Sequence, residues 1–174
     1  MSETIDPKIY PIGKVNQVEF TKEVLYRSIM MIEAAPVTLQ KRLETISEKD
    51  LELTYKAGGW TIRQIVHHMA DSHMNMLCRF KLALTETNPT IKAYNQDLWA
   101  SMADYQTAPV ESSVMLFTGI QQRLTALLKV MSEEDFKKTY YHPEYKKEYT
   151  LAEATQLYAW HGMHHTAQID GIFK

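Results

Sequence analysis

Four long segments of this chain space their apolar residues three and four positions apart, and that spacing admits little besides a packing of amphipathic helices. The first stripe runs Leu25, Ile29, Ile32, Pro36, Leu39, Leu43, Ile46. Thr21 stands as its N-cap, with Phe20 and Leu25 as a hydrophobic staple. Pro36 predicts a bend in one helix, because its ring meets the carbonyl four residues back. The second segment restarts at "WTIRQI", where Thr61 and Gln64 form a capping box and Trp60 and Ile65 a staple. Its pattern continues through Phe80 to about Glu86. The third follows Pro109 with Val110, Val114, Phe117, Leu124, Leu128 and Met131. The last opens at Thr150, where Thr150 and Glu153 make another capping box, and reaches Ile172.

Two stretches break the periodicity. "TNPTIKAYNQDLWASMADYQTAP" is a long connection with a turn of helix inside it, and "KKTYYHPEYKKEYT" reads as a small extended hairpin or an ordered loop. The expected fold is therefore all-α: a four-helix bundle with a long connection between its second and third helices and a short extended segment before the last. At 174 residues it is expected to be one domain, residues 1–174, with a sizeable core. A formal net charge of −2 argues against nucleic acid or an anionic membrane as a partner. No apolar run approaches the roughly 20 residues of a membrane span, and "MSETIDPKIYPIGK" does not read as a signal peptide. The single cysteine, Cys78, excludes an internal disulfide and a cysteine-rich zinc site. A cytoplasmic location is the simplest expectation.

Against this background the histidines are unevenly placed. "GGWTIRQIVHHMADSHMN" holds three of the seven, and "LYAWHGMHHTAQI" three more. On the last helix Leu151, Ala154, Tyr158, Ile169 and Ile172 share one inward arc, and His161 and His165 fall inside it. Their i, i+4 spacing puts both rings on one face a turn apart, close enough to share an ion. The plain alternative is a pair of core histidines satisfied by hydrogen bonds. His164 sits at the arc's edge, and Trp160 points away. On the second helix, Ile65, Val66, Met69, Met76, Leu77 and Phe80 define the core face. His67 is nearly opposite and is expected to be solvated. His73 falls on the apolar face, while His68 lies at its flank in a polar stripe with Ser72, Asn75 and Arg79. The helical wheel thus leaves His68 and His73 both open.

"GGWTIRQIVHHMADSHMN" with "RFKLALTE", then "YHP" and "LYAWHGMHHTAQI", resembles the DinB-like superfamily, and most closely its bacillithiol-transferase branch, also labelled metal-dependent hydrolases. The resemblance runs from "YPIG" to the final helix. It implies a four-helix bundle, a homodimer, and a divalent metal held by three histidines, one from the second helix and two from the last. The matching positions are His68, His161 and His165. His73 and His164 are left with structural or supporting roles.

A three-imidazole set suits zinc, nickel, copper or iron, with zinc and nickel foremost, and does not suit magnesium or calcium. Three neutral ligands leave the ion its full charge and an open position, so a bound thiol becomes a thiolate and bound water a hydroxide. The expected function is transfer of a low-molecular-weight thiol, bacillithiol-like, to an electrophilic substrate. The alternatives are a metal-dependent hydrolase and a metal-binding stress protein without turnover. Ser72, Asn75 and Arg79 are candidates for orienting the thiol, against the plain reading of a solvated helix flank. Neither histidine motif carries the acid of H-E-x-x-H, and Asp71 and Asp170 are the only acids near the proposed ligands in sequence, which favours thiol transfer. Asp71 can order His68 from behind or simply face water. Cys78 lies away from His68 with no evident base and reads as a structural thiol. Tyr140, Tyr141 and His142 read as a packed loop over one end of the bundle.

Overall fold

The structure, a computed structural model, describes residues 6–174. Its long helices are α1 (Lys22–Leu43), α2 (Ile62–Thr85), α5 (Val110–Leu128) and α7 (Leu151–Ile172). Shorter elements fill the connections: α3 (Gln96–Ala100), α4 (Ala103–Thr107), α6 (Glu133–Lys137) and the strands β1 (Thr139–His142) and β2 (Lys147–Thr150). The starts of three long helices follow directly from capping chemistry. The Thr21 hydroxyl accepts from the Val24 amide, and Thr61–Gln64 and Thr150–Glu153 form reciprocal capping boxes. α1 continues through Pro36 as one helix and stops at Leu43, a turn earlier than its stripe of apolar residues.

α1 packs against α5 and α7, and α2 packs against the same two, so α1 and α2 stand diagonally across the bundle. This order makes α2 and α7 neighbours and turns their histidine faces toward each other. α1 and α7 come close at Gly162, where an added Cβ would lie 3.3 Å from the Ala35 Cβ.

The core is divided in two. One apolar cluster includes Ile32, Met76, Phe80, Leu124, Leu128 and Leu151, and the other Leu39, Ile62, Ile65, Met69, Phe117 and Ile169. Along α2 the clusters are separated by Ser72 and His73, and along α7 by the stretch from His161 to Gln168. A polar layer therefore lies between the two apolar clusters.

Two further pieces flank the layer. β1 and β2 pair antiparallel with His142 opposite Lys147, forming a hairpin. The long α2–α5 connection is pinned to that hairpin, since the Tyr141 amide donates to the Pro89 carbonyl and the Ile91 amide to the Tyr141 carbonyl. On the opposite side, the segment before α1 straps α7. Trp160 Nε1 donates to the Gly13 carbonyl, and Gln156 exchanges two hydrogen bonds with the Val18 backbone. Trp160, expected to point away, is thus half-covered by this strap. No helix among the described residues is long and apolar enough to cross a membrane.

Ile32 is fully buried and Met30, two residues away, is 48% exposed. Ile32→Ala is expected to cost about 2–5 kcal/mol of unfolding free energy in a denaturant titration, whereas Met30→Ala stays within about 0.5 kcal/mol of the parent.

Candidate metal centre

α2 delivers His68 and α7 delivers His161 and His165 to the same point in the polar layer. One ring nitrogen from each lies within 4.8 Å of the other two. His68 Nε2 and His161 Nε2 face each other at 3.3 Å, and the His161 and His165 rings meet edge to face with centroids 4.5 Å apart. The rings that the i, i+4 spacing placed on one face of the last helix do converge there, and His68 rather than His73 completes the triad.

His73 has a different position. It is fully buried, with Nε2 3.2 Å from His161 Nδ1 and Nδ1 3.1 Å from Gln121 Oε1. Its apolar-face placement was legible in the sequence; its contact with His161 was not, because that depends on how α2 and α7 cross. His165 Nδ1 lies 2.8 Å from Gln168 Oε1. His68 is backed by the Trp60 ring at 4.6 Å, and its Nδ1 has no hydrogen-bond partner among the described residues. His164 is buried and stacks on Trp160 with centroids 4.3 Å apart.

His67 corrects the sequence expectation. It is buried, not solvated, and its Nδ1 lies 2.7 Å from Ser113 Oγ, beside the Tyr105 ring. The wheel found the side of α2 facing away from the core but could not show that α4 and α5 cover it. Tyr105 also explains Asp71: its hydroxyl donates to the Asp71 carboxylate at 2.7 Å, so this acid turns to the α4 side.

Burial sets the protonation of the cluster. Desolvation, reinforced by His73 and His164, holds His68 down at about 3. His161 and His165 are held well below the ordinary imidazole range, first by desolvation and then by neighbouring imidazoles. Burial takes His73 and His164 to about 4. All five rings are therefore neutral at physiological pH, the state in which imidazole ligates a metal. The set fits a divalent transition ion: neutral nitrogen donors converge, and two of them turn toward each other where an ion would satisfy both lone pairs.

The triad is not sealed. His161 is the partly exposed member and reaches the wall of a cavity of about 300 Å³, shared with Ser72, Arg79, Tyr94, His142 and Tyr158. Arg79, on this wall, donates to the Tyr158 hydroxyl at 2.9 Å. Of the three polar residues singled out on α2, Ser72 and Arg79 line the cavity. Asn75 does not; its amide donates to the Asp71 carbonyl a turn back. Sequence reasoning missed Tyr94, Glu144 and Asp97, which the hairpin and the α2–α5 connection bring to the same wall. His142 belongs there too, stacked on Tyr145 at 4.4 Å. Cys78 is exposed and lines no part of the cavity.

Because these imidazoles are neutral when folded but have the ordinary value of 6.5 when unfolded, acid favours the unfolded chain. The stability they contribute is fully present above that value and is lost as pH falls toward their folded values. The urea midpoint of chelator-treated protein is expected to drop between about pH 7.5 and about pH 5; an unchanged midpoint would show that the rings are already charged or solvated when folded.

Over residues 31–169 the chain matches the sequence pattern of the DinB superfamily. A Bacillus cereus (strain 03BB102) protein called "Putative metal-dependent hydrolase" is 45% identical over 166 residues, covering 95% of each chain. "Putative metal-dependent hydrolase YfiT" of Bacillus subtilis (strain 168) is 42% identical, covering 95% of this chain and 93% of that one. The solved structure of Bacillus subtilis YfiT, described as "a probable metal-dependent hydrolase with an unusual four-helix bundle topology", superposes with a TM-score of 0.93 at 40% identity over 96% of both chains. Sequence and fold agree, and the chain belongs to the DinB superfamily.

Proposed function

We propose that this protein is a metal-dependent enzyme whose cation, zinc or nickel, is held by His68, His161 and His165, and that it transfers a low-molecular-weight thiol to an electrophilic carbon. The observation that carries this reading is the position of His161, which belongs at once to the buried histidine cluster and to the wall of an open cavity. A structural metal site is closed by four protein ligands; three imidazoles beside a cavity leave room for a reactant. A cation held there supplies Lewis acidity, lowering the pKa of a thiol or water molecule bound to it.

The protein's own groups account for the rest. Arg79 has no carboxylate partner among the described residues and holds its charge in the cavity through Tyr158, placed to orient an anionic group of the thiol. Ser72 adds a hydroxyl on the same wall. Tyr94 and Tyr145 give the cavity aromatic surface against which an apolar electrophile packs. In the reaction the thiol gives its proton to solvent and its sulfur bonds to carbon. The bond from that carbon to the leaving group breaks with its electron pair leaving on that group as an anion, or, in an epoxide, staying on the ring oxygen, which takes up a proton.

Hydrolysis is the second reading, and a specific observation favours it. The acids near the ligands in sequence, Asp71 and Asp170, do not line the cavity, yet Asp97, Glu144 and His142 line it together with His161. Any of them is of a type that serves as a general base toward water. The names carried by the relatives point the same way.

Elemental analysis and a paired turnover assay separate these readings. His68→Ala, His161→Ala and His165→Ala are each expected to strip the metal from purified protein, while His67→Ala keeps it. With zinc or nickel loaded, a chlorinated aromatic or an epoxide is expected to be consumed only when a thiol is supplied. Arg79→Met is expected to raise the KM for an anionic thiol about tenfold or more, the scale of a lost charge-assisted hydrogen bond. Consumption by water alone would replace transfer with hydrolysis, and metal retained by all three alanine variants would end the assignment.

A further inference from the structure

We propose that Gln121 and Gln168 are positioning residues that fix the proton of two imidazoles on Nδ1, leaving both Nε2 lone pairs aimed at the cation position. The inference rests on His161 and His165 being metal ligands, and it follows from hydrogen-bond direction alone.

The Ile32 backbone carbonyl can only accept, and this fixes the first direction. Gln121 Nε2 lies 3.3 Å from the Ile32 carbonyl, so the NH2 end of this amide faces α1 and its Oε1 faces His73. Oε1 accepts, so His73 Nδ1, at 3.1 Å, carries the proton and donates. His73 Nε2 is then a bare acceptor. His161 Nδ1, 3.2 Å away, must supply the proton of that contact, and His161 Nε2 is left unprotonated toward His68.

α7 repeats the device with one link fewer. Gln168 Nε2 donates to the Ile9 carbonyl at 2.9 Å, which turns Oε1 to His165 Nδ1 at 2.8 Å. His165 Nδ1 is therefore the donor and its Nε2 the free lone pair. Both glutamines are buried, at 1% and 5% exposure, and their bonds to His73 and His165 are buried, where water does not compete. Each amide is itself anchored on backbone of another segment: Gln121 on α1, Gln168 on the strap before it. The bundle's own packing thus sets the proton order in its metal layer.

The choice of an amide has a chemical consequence. A carboxylate in either place would also orient the ring, but it would bring negative charge toward the cation and weaken its pull on a bound reactant. Glutamine orients without adding charge. His68 lacks any such partner among the described residues, so the two α7 imidazoles are the pre-set pair.

The test reads tautomers and affinity separately. In metal-stripped parent protein, side-chain 15N spectra are expected to show a protonated Nδ1 and an unprotonated Nε2 at His73, His161 and His165. An Nε2–H tautomer at His161 or His165 overturns the proposal with no substitution needed. In Gln121→Met and Gln168→Met the tautomer of the connected ring is expected to become mixed, and zinc affinity, measured by chelator competition, to fall roughly 10–100-fold. Gln156→Met is the control: it removes two partly buried hydrogen bonds to the same strap but bonds to no imidazole, so zinc affinity is expected to stay at the parent level. Unchanged affinity in both glutamine variants, or an equal loss in the control, contradicts the assignment. A parent protein that binds no zinc but shows the stated tautomers would instead refute the ligand role and leave the proton order standing.

Discussion

Everything in this structure is arranged around one cost: several uncharged imidazoles taken out of water in the middle of a helical core. Desolvation disfavours their charged forms and leaves each ring with polar nitrogens that must find a partner. A single buried histidine meets this with one hydrogen bond. Here His68, His73, His161 and His165 are gathered in one layer, and hydrogen bonds serve most but not all of their nitrogens. The His68 and His161 nitrogens face each other at 3.3 Å, where either one shared proton or a cation held between them and His165 serves both. The layer is costly as a scaffold and economical as a metal site.

The two apolar clusters make the layer possible. They supply the burial that holds the bundle together at either end, so the polar middle need not. Capping boxes start α2 and α7 at defined residues, which fixes the rotation and height at which their histidines enter the layer. The diagonal placement of α1 and α2 makes α2 and α7 neighbours, and the small Gly162 lets α7 settle against α1. At the layer's edge the hairpin and the α2–α5 connection leave a cavity rather than a packed wall, and the candidate site opens there.

How much of this was legible in the sequence depended on whether one helix was enough. Helix starts at Thr21, Thr61 and Thr150 were readable because capping is local. The inward pairing of His161 and His165 was readable because both lie on one helix at one spacing. His67 was misjudged because the covering residues Ser113 and Tyr105 come from distant elements. His68 and His73 could not be separated by periodicity, since both are buried and both touch His161; family resemblance, not geometry, chose between them. Gln121 and Gln168 carry no signal at all in one sequence, where a glutamine on a helix flank looks solvated. The acids of the cavity wall were invisible for the same reason: loop packing, not spacing, brings Asp97 and Glu144 to the cavity that His161 lines.

The most direct examination of the account is X-ray absorption combined with anomalous diffraction on zinc-loaded protein. The account predicts one cation per chain, bonded at about 2.0–2.1 Å to a nitrogen from each of His68, His161 and His165, with a non-protein ligand completing the site on the cavity side. A cation bound elsewhere, one ligated by His73, or one closed off by a fourth protein ligand would contradict it.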